Sequence, residues 1–389
     1  MATRPYFHNL RIKGIRGCSQ RPNFVRYTSN LTRSTSRSPP TAAFAFDIDG
    51  VLTQGSYVLP EARRILRYLD GENEWNKKFP FILMTNGGGK PEEERCRELS
   101  ERLQSKIDLS MFVQSHTVLS SPVLPYLSRY RDRAVMVLGG VGDTCRKIAE
   151  GYGYQNVVIP ADVLAWNPDL WPFYKLRDEE KAYVRRDFDF STTPIEAVFV
   201  FHDPRNWALD VQITLDILRY GSKGRPAFTR SNDTPHSHVH ADPLDAVELV
   251  FCNPDLIWRG AYFRPRLGQG AFREAFQGVY KALEPKQYPY KQLGKPTRET
   301  YHHAESLLLE RAQEIRRFSA AEMHNISKRN IYMIGDNPES DIAGANAAGW
   351  QSVLVHTGVY SPSDGVPTHK PTFQARDVEE AVHNVLSTA

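Results

Sequence analysis

Residues 43–52 read Ala-Phe-Ala-Phe-Asp-Ile-Asp-Gly-Val-Leu, an apolar run that ends in two acids and a glycine. Such a run is typical of a parallel sheet, because both faces of that sheet are covered. Asp47 and Asp49 follow at the carboxyl end, where open α/β sheets bind ligands. Strand residues two apart point the same way, so both carboxylates can face one pocket. Two crowded acids need a cation, a proton or a substrate nearby. The stretch therefore predicts a functional site at a strand end.

The bulk composition indicates a globular protein of more than one domain. The chain has 389 residues, of which 41% are hydrophobic and 24% charged, as in ordinary globular proteins. This length favours two domains, one of which can be inserted into the other. No apolar run approaches the roughly 20 residues that cross a bilayer. The four cysteines form no CxxC pair, which argues against a zinc site and a disulfide framework.

The first 40 residues have the composition of an organellar leader. They are rich in Arg, Ser and Thr, and residues 1–46 contain eight Lys or Arg but no acid. Acid-free, Arg-rich segments are typical of mitochondrial transit peptides, so we expect a location in the mitochondrial matrix. The alternative is a basic tail that carries no targeting signal. The formal net charge of the chain is +4. Residues 1–46 contribute +8 to it, so residues 47–389 carry −4. This acidic remainder gives no support to nucleic-acid binding.

Three further polar clusters follow apolar strands or turns. Residues 79–84 predict a second buried strand, which ends at Thr85-Asn86-Gly87-Gly88-Gly89. A turn at Gly294-Lys295-Pro296 delivers a lysine, and residues 330–334 predict a strand that ends at Gly335 to Asp341. Singly, each cluster is usually a turn or a salt bridge. In this order, after buried strands, they favour one composite site.

A second α/β unit lies between these clusters. Strands are predicted over 134–138, 197–201 and 248–252, with a helix over 207–220. We therefore expect a core built from residues 41–120 and 268–389, with an inserted unit at 121–267. The loop before Asp242 carries His236, His238 and His240, which can bind a metal but are more typical of a solvated loop.

The four clusters resemble the motifs of the haloacid dehalogenase superfamily. D-x-D-G-V stands at Asp47, T-N at Thr85, G-K-P at Gly294, and G-D-x(4)-D at Gly335 to Asp341. The large insertion resembles the cap of subclass IIA, and TNGGG with GDNPESDI resembles the cat-eye-syndrome-critical-region type of mitochondrial relative. The resemblance implies an α/β fold, with a Rossmann-like parallel-sheet core and an inserted α/β cap.

The resemblance also implies a reaction, and the residue types agree with it. Asp47 would attack phosphorus and form an aspartyl-phosphate, which divides one difficult step into two. Asp49 would protonate the leaving oxygen and then activate water. Lys295 would neutralise charge during the attack. A dehalogenase needs neither a second acid nor a metal, so Asp49 favours phosphoryl transfer.

Oxygen ligands in this set suit Mg²⁺. Asp47, Asp336 and the backbone carbonyl of Asp49 are the expected ligands, because Mg²⁺ is a hard cation that prefers oxygen. Asp341 is expected behind them, where it would orient a water or Lys295.

Phosphate and substrate contacts are expected from two further groups of residues. Thr85, Asn86, Gly87 and Lys295 would hold the phosphoryl oxygens. Many subclass relatives carry a polar side chain after T-N, whereas this chain has three glycines, so one side-chain contact is lost. In the cap, Asn253 and Asp255 are the main substrate candidates. His202 and Asp203 also qualify, although capping of turns explains them equally well.

The expected function is a Mg²⁺-dependent phosphatase that acts on a small phosphorylated metabolite. One alternative is a phosphotransferase that passes the phosphoryl group to an alcohol, and another is a non-catalytic protein that senses a phosphometabolite. The resemblance points to glycerophospholipid metabolism. We expect no nucleic-acid partner and no transmembrane segment, and the cap could form a homodimer.

Overall fold

The computed structural model describes residues 39–121, 124–229, 244–258, 260, 262, 264–318 and 326–388. Nearly all of the expected leader at 1–40 lies outside the described residues, and so do His236, His238 and His240. Among the described helices, none combines the length and the apolar character that a bilayer-spanning segment needs.

The described strands and helices alternate along most of the chain. The strands are β1 (Ala43–Phe46), β2 (Thr53–Gln54), β3 (Tyr57–Val58), β4 (Phe81–Met84), β5 (Phe112–Val113), β6 (Ala134–Leu138), β7 (Asn156–Val158), β8 (Ile195–Val200), β9 (Glu248–Phe251), β10 (Ile257–Trp258), β11 (Arg266–Leu267), β12 (Lys291–Gln292), β13 (Ile331–Gly335), β14 (Gln351–Val355) and β15 (Phe373–Ala375). The helices are α1 (Pro60–Leu69), α2 (Glu92–Leu103), α3 (Thr144–Gly151), α4 (Pro160–Trp166), α5 (Asp178–Lys181), α6 (Trp207–Tyr220), α7 (Gln269–Leu283), α8 (Arg298–Phe318), α9 (Ala343–Ala348) and α10 (Val378–Thr388).

The first sheet has six strands in the order β15-β14-β13-β1-β4-β5, and all of its neighbours are parallel. Strand β1 lies in its interior. Phe44 and Phe46 pack in one buried cluster with side chains of α1, α2 and α10. Ala43 and Ala45 point to the opposite face and pack with side chains of α8 and α9. Both faces are therefore covered, which explains why the opening run shows no polar alternation.

The second sheet is also parallel and has the order β12-β9-β8-β6-β7. It confirms the expected second α/β unit. We expected the chain to return to the first unit at Gly268, and that position is wrong. Phe272, Phe276 and Tyr280 of α7 pack in the cluster of the second sheet. Strand β12 then pairs with β9, so the return follows Gln292. The amphipathic pattern of α7 shows a buried face but not which sheet it covers.

The predicted elements differ from the observed ones mainly at their ends. The sequence of residues 340–348 predicts a helix that ends at Gly349, but this segment begins as a π-helical turn, Pro338–Ile342, before α9. Gly349 then ends α9 in the left-handed conformation, as the sequence predicted. The sequence did not predict the strands β5 and β7 or the helix α4. They are only two, three and seven residues long, which is too short for a clear hydrophobic period.

Candidate active site

The structure brings the four sequence clusters to one place. Lys295 Nζ donates to Asp47 Oδ1 at 2.5 Å and to Asp341 Oδ1 at 2.7 Å. All three side chains are buried. Asp47, Asp336 and Asp341 also form a group in which one carboxylate oxygen of each residue lies within 4.8 Å of those of the other two. Asp341 thus contacts Lys295, and its expected role in orienting that lysine stays a prediction.

Asp47 directly follows β1, which is an interior strand of the first sheet. Its N–H donates to Ile334 O at 3.0 Å, which continues the pairing of β1 with β13 by one residue. Asp336 follows directly after β13, so both acids project from adjacent parallel strands at the same edge. Ligand sites at this edge are typical of open α/β sheets.

The loop after β13 is organised by Asp341. Its Oδ2 accepts the backbone N–H groups of Asp336 and Asn337, both at 3.1 Å. With Lys295 on Oδ1, the carboxylate already accepts three hydrogen bonds. Asp336 in turn accepts the Val359 N–H through Oδ2 at 2.5 Å. These contacts fix Asp336 and leave Asp341 as its support.

Two glycines form a close backbone cradle around Asp336. A Cβ on Gly50 or on Gly358 would overlap the Asp336 carboxylate. Gly50 also has φ of +95°, a conformation that side chains rarely adopt. The close approach at these two positions therefore requires glycine, and the D-x-D-G pattern has a steric reason.

Burial and like charge make the acid pair costly. Burial, with help from Asp341, raises the pKa of Asp336 to about 7. Burial also raises the pKa of Asp47 above its ordinary value, and the adjacent Lys295 opposes this. Burial alone would lower the pKa of Lys295, but the Asp341 and Asp47 carboxylates raise it. A bound cation would relieve the crowding of the acids.

Asp49 lies on the more open side of the site. It is half-buried, and its Oδ1 accepts the Thr53 hydroxyl at 3.3 Å. It lines the same cavity as Asp47, as expected for alternate residues of an extended segment.

The turn after β4 differs from the expectation for a phosphate cradle. The N–H of Gly87 donates to Thr85 Oγ1 at 2.9 Å. That N–H is therefore used within the turn, whereas the Thr85 hydroxyl hydrogen stays available for an outside acceptor. The roles of Thr85 and Gly87 in phosphate binding stay predictions.

The side chain of Asn86 is used to hold Lys295 in place. Its Oδ1 accepts the Lys295 N–H at 2.7 Å, and its Nδ2 donates to Lys295 O at 3.0 Å. The second Nδ2 hydrogen is directed to Asp255 Oδ2, also at 3.0 Å. The side-chain amide is committed to these three bonds. A role of Asn86 in phosphate binding would therefore fall to its backbone N–H, and it stays a prediction.

The cap candidates line the same cavity. Asp255 N donates to Asn253 Oδ1 at 2.7 Å, which closes a tight turn after β9. Burial raises the pKa of Asp255 to about 6, although Lys295 and the bond from Asn86 oppose this. Asp255 therefore links the inserted unit to the T-N motif as well as facing the cavity.

Two histidines occupy the space behind the glycine turn. A Cβ on Gly88 would crowd His116, and one on Gly89 would overlap the ring of His202. Burial lowers the pKa of His116 to about 3, so its ring is neutral. Its Nε2 accepts the Gly89 N–H at 3.4 Å, and Nδ1 meets the Tyr152 hydroxyl at 2.8 Å. Gly88 and Gly89 thus leave room for the two histidine rings.

The cavity at this site has a volume of about 380 Å³, a size that suits a small ligand. Sequence reasoning missed several of its lining residues, which lie in both α/β units. They include Arg95, Gln114, Arg205, Ile257 and Trp258. They belong to none of the four sequence clusters. Contact between the two α/β units brings them together, and local sequence patterns do not predict that contact.

The geometry describes a hydrolase-type site at the edge of a parallel sheet, and comparison with known proteins agrees. A haloacid dehalogenase-like hydrolase family model matches residues 44–155, and a HAD-hydrolase-like model matches residues 292–381. The chain is 35% identical to a mitochondrial hydrolase of Saccharomyces cerevisiae, over 88% of this chain and 95% of that protein. The chain belongs to the haloacid dehalogenase-like hydrolases, and it is a hydrolase enzyme.

A second relative is a fusion protein of Schizosaccharomyces pombe, described as a cardiolipin synthase (CMP-forming) joined to a mitochondrial hydrolase. Identity is 37% over 94% of this chain, which spans 56% of the fusion protein.

Solved structures show the same fold. A possible sugar phosphatase from Cytophaga hutchinsonii aligns with a TM-score of 0.56 and 16% identity, over 87% of this chain and 94% of that one. A glycerol phosphate phosphatase from Mycobacterium tuberculosis, solved with magnesium, aligns with a TM-score of 0.52 and 17% identity, over 89% and 77%.

Proposed function

We propose that this hydrolase is a Mg²⁺-dependent phosphatase of small phosphomonoesters that works through an aspartyl-phosphate. The observation that carries the proposal is the Lys295 ammonium, held between Asp47 and Asp341 beside a cavity of about 380 Å³. A fixed cation next to a carboxylate nucleophile suits phosphoryl transfer, where stabilisation of charge supplies most of the catalysis.

The proposed reaction has two steps. A carboxylate oxygen of Asp47 bonds to phosphorus while the bond from phosphorus to the leaving oxygen breaks. Asp49 donates a proton to that oxygen and releases the alcohol. Asp49 then takes a proton from water, whose oxygen bonds to phosphorus while the bond to Asp47 breaks. Phosphate leaves, and both carboxyl groups return to their starting states.

The residues present fit a Mg²⁺ ion. Asp47 and Asp336 offer carboxylate oxygens, and the glycine cradle keeps the backbone close to Asp336. Asp341 belongs to the same group of acids, but its oxygens accept the hydrogen bonds described above, which favours a supporting role. We assign Asp47, Asp336 and the Asp49 carbonyl as ligands. A bound Mg²⁺ would offset the negative charge of the phosphoryl group.

The roles that we assign to Thr85 and Asn86 follow from the hydrogen bonds that their side chains make. The Thr85 hydroxyl can donate to a phosphoryl oxygen, because it accepts rather than donates within its turn. Asn86 positions Lys295 by holding both its N–H and its carbonyl. We take Asp255 and Asn253 as the residues that face the leaving group, and the inserted unit as a cap over the core.

We further propose a mitochondrial location and a role in glycerophospholipid metabolism. Support for the first comes from two relatives named as mitochondrial hydrolases and from the basic, acid-free first 46 residues. Support for the second comes from the relative that is fused to a cardiolipin synthase. A homodimer through the cap stays a prediction.

Phosphate release from a broad panel of phosphomonoesters tests the function. The full chain is assayed with and without Mg²⁺, beside Asp47→Asn and the control Asp132→Asn, whose carboxylate is exposed. We expect metal-dependent turnover in the wild type and the control but none in Asp47→Asn. Equal turnover in Asp47→Asn would refute the aspartyl-phosphate route.

The same assay separates the two rival functions. A phosphotransferase would form more phosphate ester than free phosphate when an alcohol is supplied. A sensing protein would show no turnover in either form, while a phosphorylated compound would raise its melting temperature. Because Asp47, Asp49, Lys295 and Asp336 are all present, and Lys295 is aligned with Asp47, we favour catalysis.

A further inference from the structure

A two-stranded hairpin next to the cavity exposes an unusual group of side chains. Strands β10 and β11 pair antiparallel, with Ile257 opposite Leu267 and Trp258 opposite Arg266. Neighbouring side chains of a strand point to opposite faces, and all four of these residues are exposed, so the described part of the chain covers neither face. We call this surface the apolar hairpin. Its members are Leu256, Ile257, Trp258, Tyr262, Arg264, Arg266 and Leu267.

The exposure of these residues is substantial. Leu267 is 64% exposed, Leu256 53%, and Trp258 44%. Single exposed apolar residues are ordinary, but large contiguous groups mark an interaction surface. An isolated two-stranded hairpin is also marginally stable in water, so contact with a covering surface would increase the stability of this one.

The charge of the segment indicates what that surface is. Residues 256–267 contain three arginines and no acid, although residues 47–389 have a net charge of −4. Arg264 and Arg266 are exposed, and the Arg266 guanidinium lies 4.7 Å from the centre of the Tyr262 ring. Leucine, tryptophan and tyrosine beside arginine are typical of segments that enter the headgroup region of a bilayer.

We propose that the apolar hairpin docks on an anionic lipid surface. Leu256 and Leu267 would enter the boundary between headgroups and acyl chains, while Arg264 and Arg266 would contact lipid phosphates. Ile257 and Trp258 belong both to the hairpin and to the lining of the cavity. Docking would therefore turn the cavity mouth toward the lipid.

Charge disfavours two other occupants. A second copy of this chain in a two-fold arrangement would bring the same arginines together, because such an interface pairs a patch with itself. The segment 1–46 carries eight cations and no acid, so it would be repelled as well. An anionic lipid surface complements the arginines and also covers the apolar side chains.

Co-sedimentation with vesicles tests the proposal without any use of catalysis. The full chain is mixed with vesicles of phosphatidylcholine and phosphatidylglycerol, or of phosphatidylcholine alone, at physiological and at raised salt. The test variant is Leu256→Ser with Leu267→Ser, neither of which lines the cavity. The matched control is Phe173→Ser with Val366→Ser, which removes two apolar side chains that are 82% and 93% exposed.

We expect the wild type and the control to bind the anionic vesicles. The test variant should bind at least about tenfold more weakly, since it loses two leucine side chains that docking would bury in the lipid. The difference should persist at raised salt, where the common basic arm contributes less. Arg264→Gln with Arg266→Gln should weaken binding only to the anionic vesicles.

Three results would overturn the proposal. They are absence of wild-type binding, equal binding of the test variant, and a wild-type dimer in sedimentation velocity that this variant loses. Melting temperatures and phosphate release from a soluble phosphomonoester are measured for every variant. Unchanged values separate a docking defect from misfolding, and a failure of the phosphatase proposal would leave the vesicle result intact.

Discussion

Lys295 Nζ lies 2.5 Å from Asp47 Oδ1, although the two residues are 248 positions apart in the chain. Asn86 makes this approach possible, because its amide holds the backbone of Lys295 on both sides. Asp341 completes the arrangement from the other direction. The ammonium is thus positioned by the protein rather than by a substrate, which is the preorganisation that charge stabilisation requires.

Lys295→Met should lower kcat by about 10²–10³-fold, as loss of a preorganised charge does in other enzymes. Methionine keeps most of the length of the side chain but cannot neutralise a phosphoryl group. Phosphate release in the presence of Mg²⁺ measures the effect, and Lys286→Met, at an exposed lysine, is the control. If Lys295→Met folds and keeps turnover within a few-fold of the wild type, the lysine has no part in the chemistry.

The strand ends of this site could be predicted because their signals are local. An apolar run followed by Asp47 and Asp49 defines both a buried strand and its carboxyl edge, and the structure has β1 at Ala43–Phe46. Residues 330–334 form a second apolar run that is followed by acids, from Gly335 to Asp341, and the structure has β13 at Ile331–Gly335. Parallel pairing brings the ends of β1, β4 and β13 together. Lys295 instead follows β12 of the second sheet and reaches the site through its contacts with Asn86.

The parts that could not be predicted depend on contacts across the chain. The sequence groups Asn86 with the phosphate-binding residues, but it does not show that the Asn86 side-chain amide bonds to Lys295 and Asp255. Helix α7 has a buried face, yet its sequence does not state which sheet it covers. The apolar hairpin contains no sequence motif. Its exposure within the described part of the chain is visible only in the fold.

Mg²⁺ should raise the melting temperature of the wild type and leave that of Asp336→Asn unchanged. Binding to the folded state alone contributes about 2.7 kcal/mol when the free ion is a hundredfold above its dissociation constant. Without metal, Asp336→Asn should melt at or above the wild type, because the amide removes a buried charge beside Asp341. Thermal melts with Mg²⁺ and with a chelator, beside Asp132→Asn, provide the measurement. An equal rise in Asp336→Asn would place the ion elsewhere.

Gly89→Ala should destabilise the protein by about 1–3 kcal/mol, because Gly89 has φ of +82° and a Cβ would overlap the His202 ring. Gly278→Ala is the matched control in α7, where a Cβ meets nothing within 4 Å. That change should stabilise the protein by about 0.5–1 kcal/mol through helix propensity. Urea unfolding of both variants gives the two free energies. Similar effects of the two substitutions would show that His202 does not occupy the space beside the turn.

Asp210→Asn should remove part of the pH dependence of stability. Asp210 is buried in α6, and burial raises its pKa to about 7, against the opposing hydrogen bond from the Asn206 backbone. The folded state therefore binds more protons than the unfolded state between about pH 4 and pH 7, so this group makes the protein less stable as pH rises through that window. Asparagine carries no such cost, and it should stabilise the protein near pH 8 by at most about 4 kcal/mol, and less near pH 5. Melting temperatures across this range, with Asp132→Asn as the exposed control, measure the difference. Parallel profiles for the wild type and Asp210→Asn would mean that Asp210 keeps an ordinary pKa in the folded protein.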